Sequence, residues 1–492
     1  MIETIVYPTL LLFTYDLQEG LGQSSNEVDE NCKQFCRKFY GDLDSKTFEE
    51  EWKKIKSHSD ELQEYPIELL ETRYKQFNSP LDGFYYPLQI GDTYALQVGY
   101  SGKLNANGKY NDRPQNLKDE PFRKLKQDVI DLTFKQTGSI GQTWLLCGQY
   151  TEGKQSNEIE EIAKNCYTQA VSNYNWERDY IGRGQWLEGE LFELWYLPQN
   201  IESSEQKKFL NQFRENSVHL LIWLFPDRLS PDEMRKRVTS AYVDWIRLLQ
   251  YRHKIVWSYY DSRFQVKNLK KEYVDIQPAL KQAKELTNQL QNNRVKINDL
   301  QKILTDNLIN LSDYADALNY LENQKVTIEV NLENYKTRLA SMVSLDRSLT
   351  EDKDKNLDSA NLDSDFGLNF LNKFSESDIY AKKYKKQVEH DYAHFSPGLT
   401  LLGNLNSTIQ GVIELERTKT ERSIDTTIAL AGLGLAMSSL VATAISVQDS
   451  AKPTSINIKD IPGVLSSPTF FWSFVVACPF LLALLYRLVV RR

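Results

Sequence analysis

The sequence predicts a cytoplasmic α/β domain joined to a long helical coiled-coil stalk and a C-terminal two-helix transmembrane hairpin. Three observations predict it. Runs of β-branched and aromatic residues alternate with amphipathic stretches over residues 1–255. A heptad pattern of apolar residues follows, with Pro278 as its sole Pro and no Gly between Lys267 and Leu345. Two uncharged stretches then close the chain, Thr426–Gln448 and Ile461–Tyr486.

In the N-terminal domain, strands are expected at "TIVYPTLLLFTYDL", "DTYALQVGYSG", "TWLLCGQY", "FELWYL" and "VHLLIWLFP". The stretches "NEVDENCKQFCRKFYGDL", "FRKLKQDVIDLTFKQ" and "SNEIEEIAKNCYTQAV" between them read as helices. Such alternation implies a mixed sheet with helices on its faces. The N-terminus lacks a basic leader region, so its apolar run reads as a first strand and not a signal peptide. "YSGKLNANGKYN" and "IGRGQW" read as glycine-containing hairpins or loops. "DEMRKRVTSAYVDWIRLLQYRHKIVWSYYDSR" is expected as an amphipathic helix bridging to the stalk.

Composition narrows the function. A chain of 492 residues carries a prior of two to four domains. Its net charge of -8 argues against a general nucleic-acid binder. The scattered Cys32, Cys36, Cys147, Cys166 and Cys478 have no framework spacing and read as free thiols of a reducing compartment. Cys32 and Cys36 share a helix face, as packing in preference to metal or redox chemistry. No Walker loop, dinucleotide fingerprint, HExxH or nucleophile elbow is present, and the five histidines form no catalytic set. The chain is therefore not expected to be an enzyme.

The stalk, residues 256–345, carries position a at Leu290, Ile297, Leu304, Leu311, Leu318, Lys325, Leu332 and Leu339. Position d is Asn293, Leu300, Asn307, Tyr314, Leu321, Ile328 and Tyr335. Polar interruptions leave open whether this face packs within one chain or between subunits. An acidic flexible loop is expected at 346–374; its Asp352, Asp354, Asp358, Asp363 and Asp365 read as a solvated segment and not an ion site. His390 and His394 have metal-capable spacing but no third ligand, and read as a solvated face. After "SPG" at 396–398 the chain is expected to enter the membrane as one helix, within a stalk segment assigned to 375–423. Nearly fifty residues of helix would span about 70 Å.

The first span is assigned to 424–448, the outside loop to 449–460, the second span to 461–486 and a basic tail to 487–492. About 20 helical residues cover the roughly 30 Å hydrocarbon core. Phe470, Phe471, Trp472 and Tyr486 suit interfacial belts, and Pro479 would kink the second helix. Arg417, Lys419 and Arg422 before the spans, with Arg487, Arg491 and Arg492 after them, place both termini in the cytoplasm. The expected location is the inner (plasma) membrane as a multi-pass protein. Small-xxx-small pairs, Gly432/Ala436 and Gly434/Ser438, allow close helix approach. Asp425, Gly432, Ser439 and Ser446 recur every seven residues, with Thr443 beside them, as a polar stripe. That stripe would line a pore in an oligomer, or serve as packing between helices.

This order of parts resembles the CorA-type divalent-cation transporter superfamily. The resemblance covers nearly the whole chain as architecture, without a motif match: the family's Gly-Met-Asn is absent, and "ISVQDSAKP" stands in its place. It implies a homopentamer, a homo-oligomer in the lipid bilayer whose first spans line a central pore. Asp425 would then ring one mouth, with Gln448 and Asp449 at the other. No cofactor is implied beyond a divalent cation such as Mg²⁺, transported or regulatory. The expected function is a cation channel or transporter gated by the cytoplasmic domain. The alternatives are a ligand-activated membrane effector of a nucleotide-signalling defence system and a membrane-anchored structural coiled coil. A ligand-gated effector needs a cationic pocket for a small regulatory ligand, with Arg113, Arg123, Arg178 or Arg183 as its candidates.

Overall fold

A computed structural model describes residues 3–58, 66–110, 112–198, 205–291, 297–351 and 367–421. The chain divides into two compact units. The first comprises Met1–Asp261 and Val326–Lys385, and the second Ser262–Lys325 and Lys386–Arg492.

The first unit is built on a ten-stranded mixed sheet. Its strands are β1 (Thr4–Leu17), β2 (Ile67–Glu68), β3 (Lys75–Gln76), β4 (Leu81–Ile90), β5 (Thr93–Lys103), β6 (Gln115–Asn116), β7 (Gly141–Tyr150), β8 (Tyr180–Trp186), β9 (Gly189–Tyr196) and β10 (Val218–Pro226). They lie in the order β2-β4-β5-β1-β7-β10-β9-β8, with β3 against β4 and β6 against β1. β7 and β10 pair in parallel, Leu145 opposite Leu221, while the other described pairs are antiparallel.

β1 and β10 read as continuous apolar runs because both faces of the sheet are covered. One face holds Leu10, Leu12, Leu96, Val98, Leu146, Leu194, Leu220 and Ile222. These side chains pack with Phe35, Phe39, Phe122, Val129, Ile159 and Ile162, whose helices are α1 (Ser25–Tyr40), α3 (Pro121–Leu132) and α4 (Ser156–Ala170). Helix α2 (Ser45–His58) adds Trp52 and Ile55. Each fully buried side chain of this size contributes about 1.5–3 kcal/mol. Local signals start these helices: Ser24 and Glu27 form a capping box before α1, and Pro121 occupies the first turn of α3.

The opposite face meets α7 (Pro231–Ser240), the start of α8 (Tyr242–Gln291) and the later part of α9 (Ile297–Glu351). Trp186, Trp223 and Trp245 are fully buried there, with ring centroids 5.2, 5.4 and 6.2 Å apart. The Trp186 indole donates to the Met342 carbonyl at 3.2 Å, and Arg338 pairs with Asp244 at 3.0 Å. "IGRGQW" is strand β8 and not a turn. Gly182 and Gly184 are needed because Phe370 and the Gly367 carbonyl lie where their Cβ atoms would be. Short helices α5 (Trp176–Asp179), α6 (Gln206–Asn216) and α10 (Asn372–Glu376) complete this unit.

In the second unit, α9 packs on α11 (Ala381–Glu421). Tyr314, Leu318 and Leu321 of the heptad are buried, as are Phe395, Leu402, Leu405 and Ile409 of α11. Over Tyr314–Leu321 the heptad positions are thus buried within the chain itself, while Leu304 and Leu311 are half-buried. Arg263 of α8 pairs with Asp391 of α11. Pro397 lies inside α11. The Tyr314 hydroxyl donates to the Phe395 carbonyl at 2.6 Å beside the Pro, and Gly398 makes room for the Tyr314 ring.

The expected transmembrane hairpin requires correction. Among the described residues, no helix is long and apolar enough to cross a membrane. The long helices α8, α9 and α11 carry charged residues throughout, so none offers an apolar window of the needed length. Membrane placement, a multi-pass location and ion transport therefore have no support in the structure. The stretches assigned to spans, 424–448 and 461–486, lie outside the described residues, as do Asp425, Gly432, Ser439, Thr443, Ser446, Gln448 and Asp449. The acidic residues Asp352 to Asp365 lie outside them too.

Candidate functional site

A cavity in the first unit opens where β9 leaves the sheet and β10 enters it. It encloses about 950 Å³ and is lined by Lys126, Arg178, Trp195, Tyr196, Gln212 and Tyr380 among others. Arg178 is held by its local sequence. The Asn175 side chain caps α5 by accepting the Arg178 backbone N–H at 3.0 Å. Arg178 Nε and Nη2 then donate to the two oxygens of Asp179 at 2.5 and 2.8 Å. Asp179 is buried and also accepts the Tyr167 hydroxyl. This fork seats the guanidinium 4.1 Å from the centre of the Tyr196 ring. The hydrogen bonds to Asp179 hold the Arg178 pKa above its ordinary value.

Lys126 reaches the same cavity from α3. Its ammonium donates to the Ala170 carbonyl and lies 5.2 Å from the Trp144 ring centre. Burial pulls its pKa down. The cavity therefore presents two cations, three aromatic rings and the polar α6 side chains Gln212, Glu215 and Asn216.

Trp195 has a second neighbour. The Arg252 guanidinium of α8 stacks 4.0 Å from its ring centre and 4.7 Å from that of Phe374. Arg252 Nη2 donates to Glu193 Oε1 at 3.2 Å, and both side chains are essentially inaccessible. Arg252 Nε and Nη1 have no hydrogen-bond partner among the described residues; the two ring faces stand in for one. Glu193 also meets His219 Nε2 at 3.1 Å. Thr143 Oγ1 lies 2.7 Å from both His219 Nδ1 and His253 Nε2. Gly141 is required here, since a Cβ would run into the His253 imidazole.

Burial drives both imidazoles well below their usual pKa, so they are neutral. Burial pushes Glu193 up against the pull of Arg252, and pulls Arg252 down. With Glu193 ionised and the imidazoles neutral, one arrangement of protons satisfies the chain. His253 donates to Thr143, Thr143 to His219, and His219 to Glu193. This network ties three strands, β7, β9 and β10, to α8.

Of the four candidate arginines, only Arg178 lines this cavity. Arg123 pairs with Glu120 at 3.2 Å and Arg183 with Glu160 at 3.6 Å, both on exposed surface. Arg113 is exposed and engaged elsewhere. The structure adds Lys126, Glu193, Trp195 and Arg252, none of which was expected. Two carried a sequence signal: Glu193 interrupts the apolar run "FELWYL", and Arg252 falls among Leu248, Leu249, Ile255 and Val256 on one helix face. Among the described residues, no group of His, Cys, Asp and Glu is arranged to hold a metal ion. The four described cysteines are buried free thiols. No protein-family model, curated protein or solved structure matches the chain.

Proposed function

We propose that the chain is a ligand-responsive regulatory protein. Its α/β unit binds a small anionic ligand with a flat ring, of the nucleotide class, in the 950 Å³ cavity. The ring rests on Trp195 and Tyr196, the anionic group meets Lys126 and Arg178, and the α6 side chains receive hydroxyl groups. One observation carries this reading: Trp195 is both a wall of the cavity and the platform under Arg252 of α8. A ligand that shifts the Trp195 ring changes the surroundings of a buried charge, to which α8 must respond.

The test uses AMP, with adenosine as the neutral control. AMP binding by calorimetry is expected to be saturable, and at least about tenfold weaker in Arg178→Ala, which loses a charge-assisted contact. AMP is also expected to slow amide hydrogen exchange in α8 around Arg252, and Trp195→Ala to abolish that change. Equal affinity for AMP and adenosine would remove the anion-binding role. An exchange response that survives Trp195→Ala would remove the coupling.

A further inference from the structure

A second cleft lies on the same sheet face as α8, beneath α7. It encloses about 240 Å³, and Tyr7, Leu11, Asp82, Phe84, Arg235 and Tyr242 line it. The backbone is built around it with some strain. Tyr7 adopts φ 47 where β1 slips register between Val6 and Thr9. A left-handed non-glycine residue costs about 1–3 kcal/mol, and such bulges re-aim side chains. Here the bulge delivers the Tyr7 hydroxyl to Asp82 at 2.9 Å, and Arg235 Nη1 donates to that hydroxyl at 2.9 Å. The Arg235 guanidinium lies 5.7 and 5.5 Å from the ring centres of Tyr7 and Tyr110. Its hydrogen bond and ion pair both run through Nη1, so Nε and Nη2 have no such partner among the described residues.

The floor is apolar: Leu11, Cys147, Met234 and Val238. Gly99 leaves room for the Phe84 ring of the cleft wall, because a Cβ there would run into it. Arg73 forms a second cationic rim, bonded through Nε to the Tyr86 hydroxyl at 3.3 Å. The volume suits one ring system with a short acid and is too small for a ligand with several rings or phosphates.

We infer that this cleft is a second small-molecule site, distinct from the Trp195 cavity, for a flat aromatic carboxylate whose ring lies on Leu11, Phe84 and Tyr242 and whose acid meets Arg235. Asp82 and Tyr7 hold Arg235 in place and are positioning residues. Burial pushes the Cys147 thiol up, so the floor thiol is inert and binding is non-covalent.

The test titrates the full chain with phenylacetate, 4-hydroxyphenylacetate and indole-3-acetate, each against its primary amide. At least one acid is expected to bind saturably, with its amide about tenfold weaker or worse. Arg235→Gln is expected to weaken that acid about tenfold and leave the amide unchanged, and Arg178→Ala to leave the acid unchanged. If Arg235→Gln does not fold, the acid-to-amide ratio on the wild-type chain decides alone. No saturable binding of any acid, equal binding of acid and amide, or loss of binding in Arg178→Ala overturns the inference. The last result would place the acids in the first cavity, so failure here leaves the AMP experiment independent.

Discussion

Replacing Glu193 by Gln keeps the shape of the buried network and removes one charge. The partner charge, on Arg252, is 3.2 Å away, and both side chains are 1–2% accessible, so solvent does not screen the pair. Two unit charges at that separation attract by about 5 kcal/mol at an effective dielectric of about 20. Some of this is recovered, because Gln can still accept from His219 and Arg252. Breaking one side of a buried pair costs about 3–5 kcal/mol in measured cases, mostly from the stranded charge. We therefore expect Glu193→Gln to destabilise the first unit by about 3–5 kcal/mol. Arg252→Met should also destabilise it, while the double variant should recover at least about 2 kcal/mol relative to the sum of the singles. Urea unfolding followed by tryptophan fluorescence measures all four proteins. Strictly additive losses, or a cost below about 1 kcal/mol for Glu193→Gln, would refute the claim that these charges hold α8 to the sheet.

Other substitutions probe other parts. Gly184→Ala places a Cβ against the Gly367 carbonyl and the Phe370 ring, so it should cost about 1–3 kcal/mol and speed proteolysis within 367–376; an unchanged urea midpoint would mean that this segment does not seat on β8. Tyr314→Phe removes the donor to the Phe395 carbonyl and should destabilise the second unit by about 1 kcal/mol, seen as faster hydrogen exchange around Pro397. His253 is held below the ordinary histidine pKa of 6.5 by burial. Its unfolded form gains a proton as pH falls through about 6.5 that the folded form refuses. Its contribution is thus complete above that pH and is lost below it, by up to about 1.4 kcal/mol per pH unit. Urea midpoints at pH 8, 6 and 5 should fall more steeply for wild type than for His253→Gln, and parallel profiles would count against a neutral buried imidazole.

What was legible depended on how local the cause was. β1 and β10 are plain in sequence because burial on both faces demands unbroken apolar runs. β4 is not, because Gly83 and Pro87 interrupt "LDGFYYPLQI". Pro87 is tolerated since the outer neighbours β2 and β3 are only two residues long, leaving most of that edge without ladder bonds. β8 looked like a turn because the reason for its glycines, Phe370, lies far along the chain. At the site, Arg178 could be nominated as a cation, but Lys126, Trp195, Glu193 and Arg252 converge from separate elements. Periodicity places each on an element and says nothing of their meeting. The polar stripe from Asp425 to Ser446, read as pore lining or as helix packing, falls beyond the described residues.

The indole cluster of Trp186 and Trp223, stacked on each other, with Trp245 edge-on to both, has a practical consequence. Two belong to the sheet and the third rides on α8, with all rings within 6.2 Å of one another. Transition dipoles so close couple strongly, and their near-ultraviolet dichroism depends on mutual orientation. The first unit thus carries an unlabelled optical gauge of how the start of α8 sits on the strands.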